Sequence, residues 1–147
     1  NQNFTVLVGD ANGVDKQIQT YCYARNYKNV KVFNSNGKTR NNIGNWDVVN
    51  VKVSDNVKGF DFYAAKDLEM AKQADYGFMI WNGKVKERLT NYKSYQVKQK
   101  GVVYFIPDRK FYTIRSQADL EHMLDNNQQK ENQKTNVVNI SYQDSFI

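Results

Sequence analysis

The side chains best suited to chemistry lie in three polar loops that contain glycine. The first loop runs from Gly9 to Asp15, between a short apolar run and a helical pattern. An apolar strand, a glycine-bearing turn and a helix form the βα corner of an open α/β sheet, where free N–H groups at the helix N-terminus attract phosphate. We therefore expect a nucleotide-like small molecule here, contacted by Gly9, Asp10, Gly13 and Asp15.

The second loop follows the next predicted strand and runs from Asn34 to Asn45. A loop of this length in a compact domain is usually functional or mobile. Its Lys38 and Arg40 are equally consistent with contacts to an anion and with ordinary surface charges. If the strands are parallel, this loop shares an edge of the sheet with the first one, because ligands of such sheets bind at the carboxyl ends of the strands.

The third loop begins after a strongly apolar run that ends at Trp81. Its candidate contacts to a nucleotide are Gly83, Lys84 and Arg88. Lys66, on a predicted helix between the second and third loops, is a further candidate to reach a phosphate.

Several of these candidates have a purely structural alternative. Gly9 and Gly13 also fit a tight turn with close helix packing. The loop that contains them matches neither phosphate-binding motif, because it lacks the Lys-Ser or Lys-Thr pair of a Walker loop and the G-x-G-x-x-G pattern. Asp15 fits an N-terminal cap of the helix that follows. Lys66 and its acidic neighbours Asp67 and Glu69 most often form a solvated helix face.

Other notable side chains favour structural roles. Tyr76 and Trp81 are able to stack on a base, but the alternation along their strand predicts that at least one of them is buried. Cys22 is expected in the core. His122 is expected to be structural or exposed.

Composition narrows the class of partner. The 147 residues suit one domain, and the net charge of +6 favours an anionic partner such as a nucleotide, a nucleic acid or an acidic surface. A single cysteine and a single histidine exclude an internal disulfide and a zinc site of the usual kind. We expect no metal and no cofactor, no association with a membrane, and a cytoplasmic location.

Apolar periodicity predicts alternating strands and helices, which indicates an α/β fold with a mostly parallel sheet. A Ser116-x-x-Asp119 capping box begins the last helix. The predicted single domain covers residues 1–125, and residues 126–147 form a polar linker with a C-terminal strand or docking segment. Strands are predicted at 4–8, 30–33, 76–81, 102–106 and 110–114, and helices at 14–27, 64–75, 84–101 and 116–124. Residues 48–53 are predicted as either a strand or an extended segment.

Four segments, taken in order, resemble the SLOG superfamily of Rossmann-like nucleotide-binding proteins, nearest to its YspA-like branch. They are GDANGVD at 9–15, KDLEMAKQAD at 66–75, WNG at 81–83 and the apolar strand from Val102 to Ile106. The resemblance covers Phe4 to Pro107 and implies a three-layer α/β/α sandwich. It implies that Asp15 lies beside the ligand ribose. Members include phosphoribohydrolases acting on nucleoside monophosphates, DNA-binding transformation proteins and nucleotide sensors.

The chain departs from the SLOG pattern in two places. Family members begin with an extra strand and loop, which are not found before Phe4. In the phosphate loop, Val85, Glu87 and Arg88 stand where the family has Ser, Gly and Thr, and Asn91 takes the position of the catalytic Glu. An amide neither accepts a proton nor stabilises a developing oxocarbenium as a carboxylate does.

These features favour a nucleotide-binding or nucleotide-sensing domain. One alternative is a nucleotide N-glycosidase, for which Asp15, Glu69 and Glu87 are the available carboxylates. The other is a nucleic-acid-binding protein, favoured by the basic charge and the many tyrosines. Because the predicted sheet is incomplete, we also expect a homo-oligomer.

Overall fold

The computed structural model describes residues 3–83, 100–106 and 108–126. The chain divides into two compact units, Asn1–Asp75 and Tyr76–Ile147. The helix predicted over 84–101 and the polar linker with its C-terminal segment lie almost wholly outside the described residues. In chain order the elements are β1 (Val6–Gly9), α1 (Val14–Ala24), β2 (Val30–Ser35), β3 (Asp47–Val51), α2 (Phe60–Gln73), β4 (Tyr76–Trp81), β5 (Lys100–Phe105), β6 (Lys110–Ile114) and a third helix, α3, at residues 117–126.

A parallel sheet with the strand order β1-β2-β3 forms the centre of the first unit. Val6 pairs with Val30, and Val32 pairs with both Val8 and Val48. Such β-branched residues fit the pleated backbone of a half-buried strand. Because the strands are parallel, the residues that follow β1 and β2 emerge at the same edge of the sheet.

Helix α1 packs on this sheet through a small apolar cluster. The buried members of the cluster are Val8, Cys22, Val30 and Val32. Cys22 is therefore a core residue, as predicted. Ile18 also packs on the cluster, whereas Tyr21, on the same side of the helix by spacing, is exposed. The polar Gln19 is fully buried instead.

Helix α2 contacts all three strands of the first unit. It begins at Phe60, four residues before the predicted start. Gly59 precedes it with a φ of +64°, a left-handed conformation that glycine adopts without strain. The early start adds a turn to the helix, which carries Phe62 and Tyr63 beside the carboxyl end of β2.

The second unit contains a mixed sheet of order β4-β5-β6. The pairing of β4 with β5 is parallel, and that of β5 with β6 is antiparallel. One face of this sheet packs against α3 in a core formed by Trp81, Val103, Phe105, Ile114, Leu120 and Met123. The opposite face carries the exposed rings of Tyr76, Phe78 and Phe111.

Helix α3 begins with the predicted capping box. The backbone N–H of Asp119 donates to Ser116 Oγ at 3.2 Å, and the Asp119 carboxylate accepts from the Ser116 backbone N–H at 3.1 Å. Two N–H groups that the helix would leave without a partner are thereby satisfied.

The α/β class is confirmed, and three of the four strand pairings in the described residues are parallel. In the described residues the strands form two sheets of three, and the second of these sheets is mixed. The antiparallel pairing has a simple cause. Only four residues connect β5 to β6, too few for the crossover that a parallel pairing requires.

Within the described ranges, no helix combines the length and the apolar character needed to cross a membrane.

Candidate functional site

A pocket of about 210 Å³ lies at the edge of the first unit where β1 and β2 end. Three parts of the chain form it: the residue after β1, the end of β2 with the loop that follows, and the first turn of α2. Its lining consists of Asp10, Ser35, Asn36, Lys38, Arg40, Phe62 and Tyr63. Two of these residues, Asp10 and Arg40, form the pocket's main charged pair.

Arg40 holds the Asp10 carboxylate through two side-chain contacts and one backbone contact. Arg40 Nη2 lies 2.8 Å from Asp10 Oδ1, while Arg40 Nε and its backbone N–H donate to Oδ2 at 3.3 and 3.0 Å. Asp10 is only 3% exposed. Burial alone would raise its pKa, but the hydrogen bonds and charge of Arg40, with Lys66 contributing, lower the pKa below its ordinary value. The carboxylate is therefore ionised at neutral pH and fixes the direction of the guanidinium.

Lys66 lies against the end of β1, buried to 4% exposure. Its Nζ is 2.7 Å from Asp67 Oδ1 and 3.6 Å from Asp15 Oδ2. The interpretation of Lys66 as part of a solvated helix face is therefore wrong. A Cβ on Gly9 would come within 2.6 Å of this Nζ and 2.3 Å of Asp15 Oδ2, so only glycine leaves room for the ion pair.

Asp15 closes the first loop on itself. Its Oδ2 accepts the backbone N–H of Ala11 at 3.1 Å in addition to facing Lys66. No described side chain makes a capping hydrogen bond to the N-terminus of α1, so the capping role considered for Asp15 is wrong. Gly13 precedes α1 with a φ of +92°, and a Cβ there would meet open space. The need for glycine at that position is therefore one of backbone conformation.

The end of β2 contains two buried polar atoms that have no hydrogen-bond partner in the part of the chain described. They are Asn34 Oδ1 and Ser35 Oγ. The amide of Asn34 does have partners, since it donates to Gly37 O and to Thr39 Oγ1 at 2.9 Å. A buried polar atom without a partner is costly, and such atoms are often satisfied by a ligand or an ordered water.

The first turn of α2 contributes the aromatic side of the pocket. The rings of Phe62 and Tyr63 meet edge to face with centroids 5.3 Å apart. Tyr63 is 53% exposed, and the guanidinium of Arg40 lies 5.3 Å from the centre of its ring. A planar group in the pocket therefore has an aromatic surface available next to a cation.

Side-chain amides fasten the long loop between β2 and β3. The buried Gln19 donates to Gly9 O at 2.9 Å and to Asn41 O at 3.1 Å, and accepts the Ile43 N–H at 3.0 Å. Asn41 donates to Asp10 O at 2.8 Å. Through these contacts, the amides of Gln19 and Asn41 together join the strand end and the first loop to the second loop.

The predicted site residues divide between the two units. Gly9, Asp10, Asp15 and Lys66 lie around the end of β1, and Gly13 directly precedes α1 in the same loop as Asp10. Gly83 lies in the second unit, after β4, with a φ of +80°. Lys84, Arg88, Glu87 and Asn91 lie outside the described residues.

The other side chains considered have clear environments. Trp81 is buried and Tyr76 exposed, which confirms that at least one of the two is in the core. His122 is exposed, and its Nδ1 lies 3.2 Å from Asn126 Nδ2. Among the described residues, no three Asp, Glu, His or Cys side chains are grouped so as to bind a metal ion.

Sequence reasoning missed Gln19, Ser35 and the Phe62–Tyr63 pair. Gln19 left a signal, since it is a polar residue between the apolar Ile18 and Cys22. Ser35 ends a strand, where ligands of parallel sheets bind. The aromatic pair gave none, because the predicted helix began after it.

Comparisons of this chain with protein-family models, with curated proteins and with solved structures gave no match. The resemblance to the SLOG superfamily therefore stays a prediction.

Proposed function

We propose that the first unit is a nucleotide-binding or nucleotide-sensing domain of the SLOG type, with its ligand in the pocket at the ends of β1 and β2. The observation that carries this proposal is the combination of two cations and an exposed tyrosine ring around one depression. The two cations suit a phosphate group, and the tyrosine ring suits a stacked base.

Each part of the pocket has a distinct task. Arg40 contacts Asp10 through Nε and Nη2, and among the described residues no hydrogen bond is made by Nη1, so its two N–H groups are available to an anion. Lys38 is exposed in the same loop and adds a second positive charge. The base would lie on the open part of the Tyr63 ring.

The two carboxylates at the end of β1, Asp10 and Asp15, argue against an N-glycosidase, and the candidate Glu69 is not among the residues that line the pocket. Both oxygens of Asp10 are engaged by Arg40, and Asp15 is held by Ala11 N–H and Lys66. A general base or nucleophile needs a carboxylate free to face the anomeric carbon. Binding without hydrolysis is therefore the better proposal.

A thermal-shift titration with mononucleotides tests the proposal. At a ligand concentration of about 100 times Kd, binding should raise Tm by about 5–10 °C in a chain of this size. Lys38→Gln should weaken the shift. The matched control is Lys31→Gln, an exposed lysine at the opposite end of β2, which should leave the shift unchanged.

Three outcomes would contradict the proposal. The first is an unchanged Tm with every nucleotide. The second is release of free base during incubation, which would favour the N-glycosidase. The third is a shift produced only by single-stranded DNA and abolished by salt, which would favour nucleic-acid binding.

A further inference from the structure

We propose that the pocket recognises a phosphate on the ribose 2′-hydroxyl, so that its ligand is a 2′-phosphorylated nucleotide. This inference rests on the nucleotide-binding function proposed above and specifies which phosphate the two cations bind.

The position of the cations along the chain is the first argument. In Rossmann dinucleotide-binding sites, the end of the second strand meets the secondary hydroxyls of the ribose. An acidic residue there, about 20 residues after the glycine-bearing turn, accepts the free 2′-hydroxyl, whereas a nearby arginine accommodates a 2′-phosphate. Here β2 ends at Ser35, 22 residues after Gly13, and Lys38 and Arg40 follow.

The absence of acidic residues is the second argument. No Asp or Glu occurs anywhere between residues 16 and 46 of the sequence. The acceptor that would select an unmodified 2′-hydroxyl is therefore missing from this stretch, and the residues in its place are a hydroxyl and two cations. The one carboxylate among the lining residues, Asp10, is neutralised by Arg40, so Lys38 supplies the remaining positive charge and the hydroxyl donates a hydrogen bond to a phosphate.

Ser35 provides the third argument. Its Oγ is buried and lacks a hydrogen-bond partner among the described residues, and Ser35 lines the pocket together with both cations. A phosphate oxygen would give this hydroxyl an acceptor. The hydroxyl, the ammonium of Lys38 and the free N–H groups of Arg40 would then bind one phosphate from several directions.

The first loop is poorly suited to hold that phosphate instead. The Asp15 carboxylate already accepts the Ala11 N–H, and the Asp10 carboxylate lies at the end of β1. These two carboxylates are paired with Arg40 and Lys66, so this loop offers a phosphate no unpaired positive charge among the described residues. The positive charge that remains available in the described part of the pocket is on the β2 side.

Isothermal titration of the full chain with paired ligands tests the inference. The pairs are 2′-AMP with 5′-AMP, and NADP⁺ with NAD⁺, which differ in the position or presence of the 2′-phosphate. We expect the 2′-phosphorylated member of each pair to bind at least about tenfold more tightly, as charge-assisted hydrogen bonds predict. If only 2′-AMP is preferred over its partner, the ligand is a 2′-phosphorylated mononucleotide. If NADP⁺ is also preferred over NAD⁺, the pocket accepts a 2′-phosphorylated dinucleotide as well.

Variants locate the preference in the proposed residues. Lys38→Gln and Ser35→Ala should each reduce the ratio of affinities within a pair, since each removes a contact to the 2′-phosphate. Ser35→Ala should leave Tm unchanged or slightly raised, because it deletes an unpartnered buried hydroxyl. Lys31→Gln is the control and should retain the full ratio.

The possible failures are distinguishable. Equal affinity within both pairs, or tighter binding of 5′-AMP than of 2′-AMP, overturns the 2′-phosphate inference and leaves nucleotide binding standing. A preference that Lys38→Gln and Ser35→Ala leave intact overturns the assignment to this pocket. No binding of any of the four ligands overturns the nucleotide-binding function together with the inference.

Discussion

Asp10 is a buried carboxylate that serves a cation of its own chain. Its two oxygens are directed to Arg40, which lies 30 residues further along the sequence. The sequence analysis predicted a ligand contact for Asp10 and considered one for Arg40, but it treated the two residues separately. Their pairing was not predictable, because no local pattern links positions so far apart, and only the parallel pairing of β1 with β2 brings them together.

The pairing predicts how stability depends on pH. The folded-state pKa of Asp10 lies below its ordinary value of 3.8, so the native state favours the ionised form. The contribution of the pair to stability is complete well above pH 4, declines as pH falls below about 4 and is lost once pH passes the folded pKa. At neutral pH, Asp10→Asn should lower the free energy of unfolding by about 1–3 kcal/mol.

Urea denaturation of the parent and of Asp10→Asn between pH 7 and pH 3 measures this effect. The difference in free energy of unfolding between the two proteins should narrow as the pH falls. Asp55→Asn, at an exposed position, serves as the control and should track the parent. A difference that stays constant over the whole range would show that the Asp10 charge contributes nothing.

The burial of Lys66 is a second feature that could not be predicted from the residue and its neighbours in sequence. Lysine on an amphipathic helix is normally solvated, and the acidic neighbours of Lys66 strengthened that interpretation. The decisive residue was Gly9, which lacks a side chain and so leaves space at the end of β1 for the ammonium and for Asp15. Sequence alone showed the glycine but not which groups fill the space beside it.

At the scale of elements, local patterns were informative. The strand at 76–81 and the edge strand at 110–114 agree with β4 and β6 to the residue, because apolar and aromatic runs bounded by turn residues are typical of strands. The capping box placed the start of α3. The start of α2 was predicted too late because the turn before it depends on the backbone of Gly59 rather than on a capping side chain.

The long loop after β2 was predicted as functional or mobile, and its anchoring to Gln19 supplies a test. Gln19→Leu should leave buried carbonyl and N–H groups without partners and lower the free energy of unfolding by about 1–3 kcal/mol. Amide hydrogen exchange should then increase in residues 36–46 before it increases in β1 and β2.

The matched control for this variant is Gln17→Leu, an exposed glutamine on the same helix. It should preserve both the stability and the slow exchange of the loop. Uniform acceleration of exchange throughout the first unit by Gln19→Leu would contradict a specific role in fastening the loop.

At the scale of the whole molecule, the alternation of elements predicted the α/β class and most strand directions. It did not predict the division into two sheets, since periodicity identifies strands but not the edges at which pairing stops. The three-layer sandwich implied by the SLOG resemblance is a statement about the entire chain, and the structure supports only the coarser α/β class.

The exposed sheet face of the second unit is a candidate interface for the homo-oligomer expected from the sequence. Phe111 packs on Tyr104 with ring centroids 4.8 Å apart, and Phe78 lies on the same face. Exposed aromatic rings grouped in this way favour self-association. Light scattering at micromolar concentration should give at least twice the 17.1 kDa mass of the chain.

Phe78→Lys should return this mass to that of one chain. Tyr23→Lys, which introduces the same charge at an exposed position on α1, should not. A parent protein that scatters as a single chain would show that the expected oligomer does not form.

The amides that fasten the long loop carry no net charge. The geometry of the pocket therefore depends on neutral hydrogen bonds, whereas its attraction for anions depends on charged side chains. Dissolved ions screen exposed charges over about 8 Å at physiological ionic strength, so added salt weakens the attraction of Lys38 and Arg40 for an anion. The same ions leave the short hydrogen bonds of Gln19 and Asn41 in place. Ionic strength should therefore tune the affinity of this pocket while its walls keep their geometry.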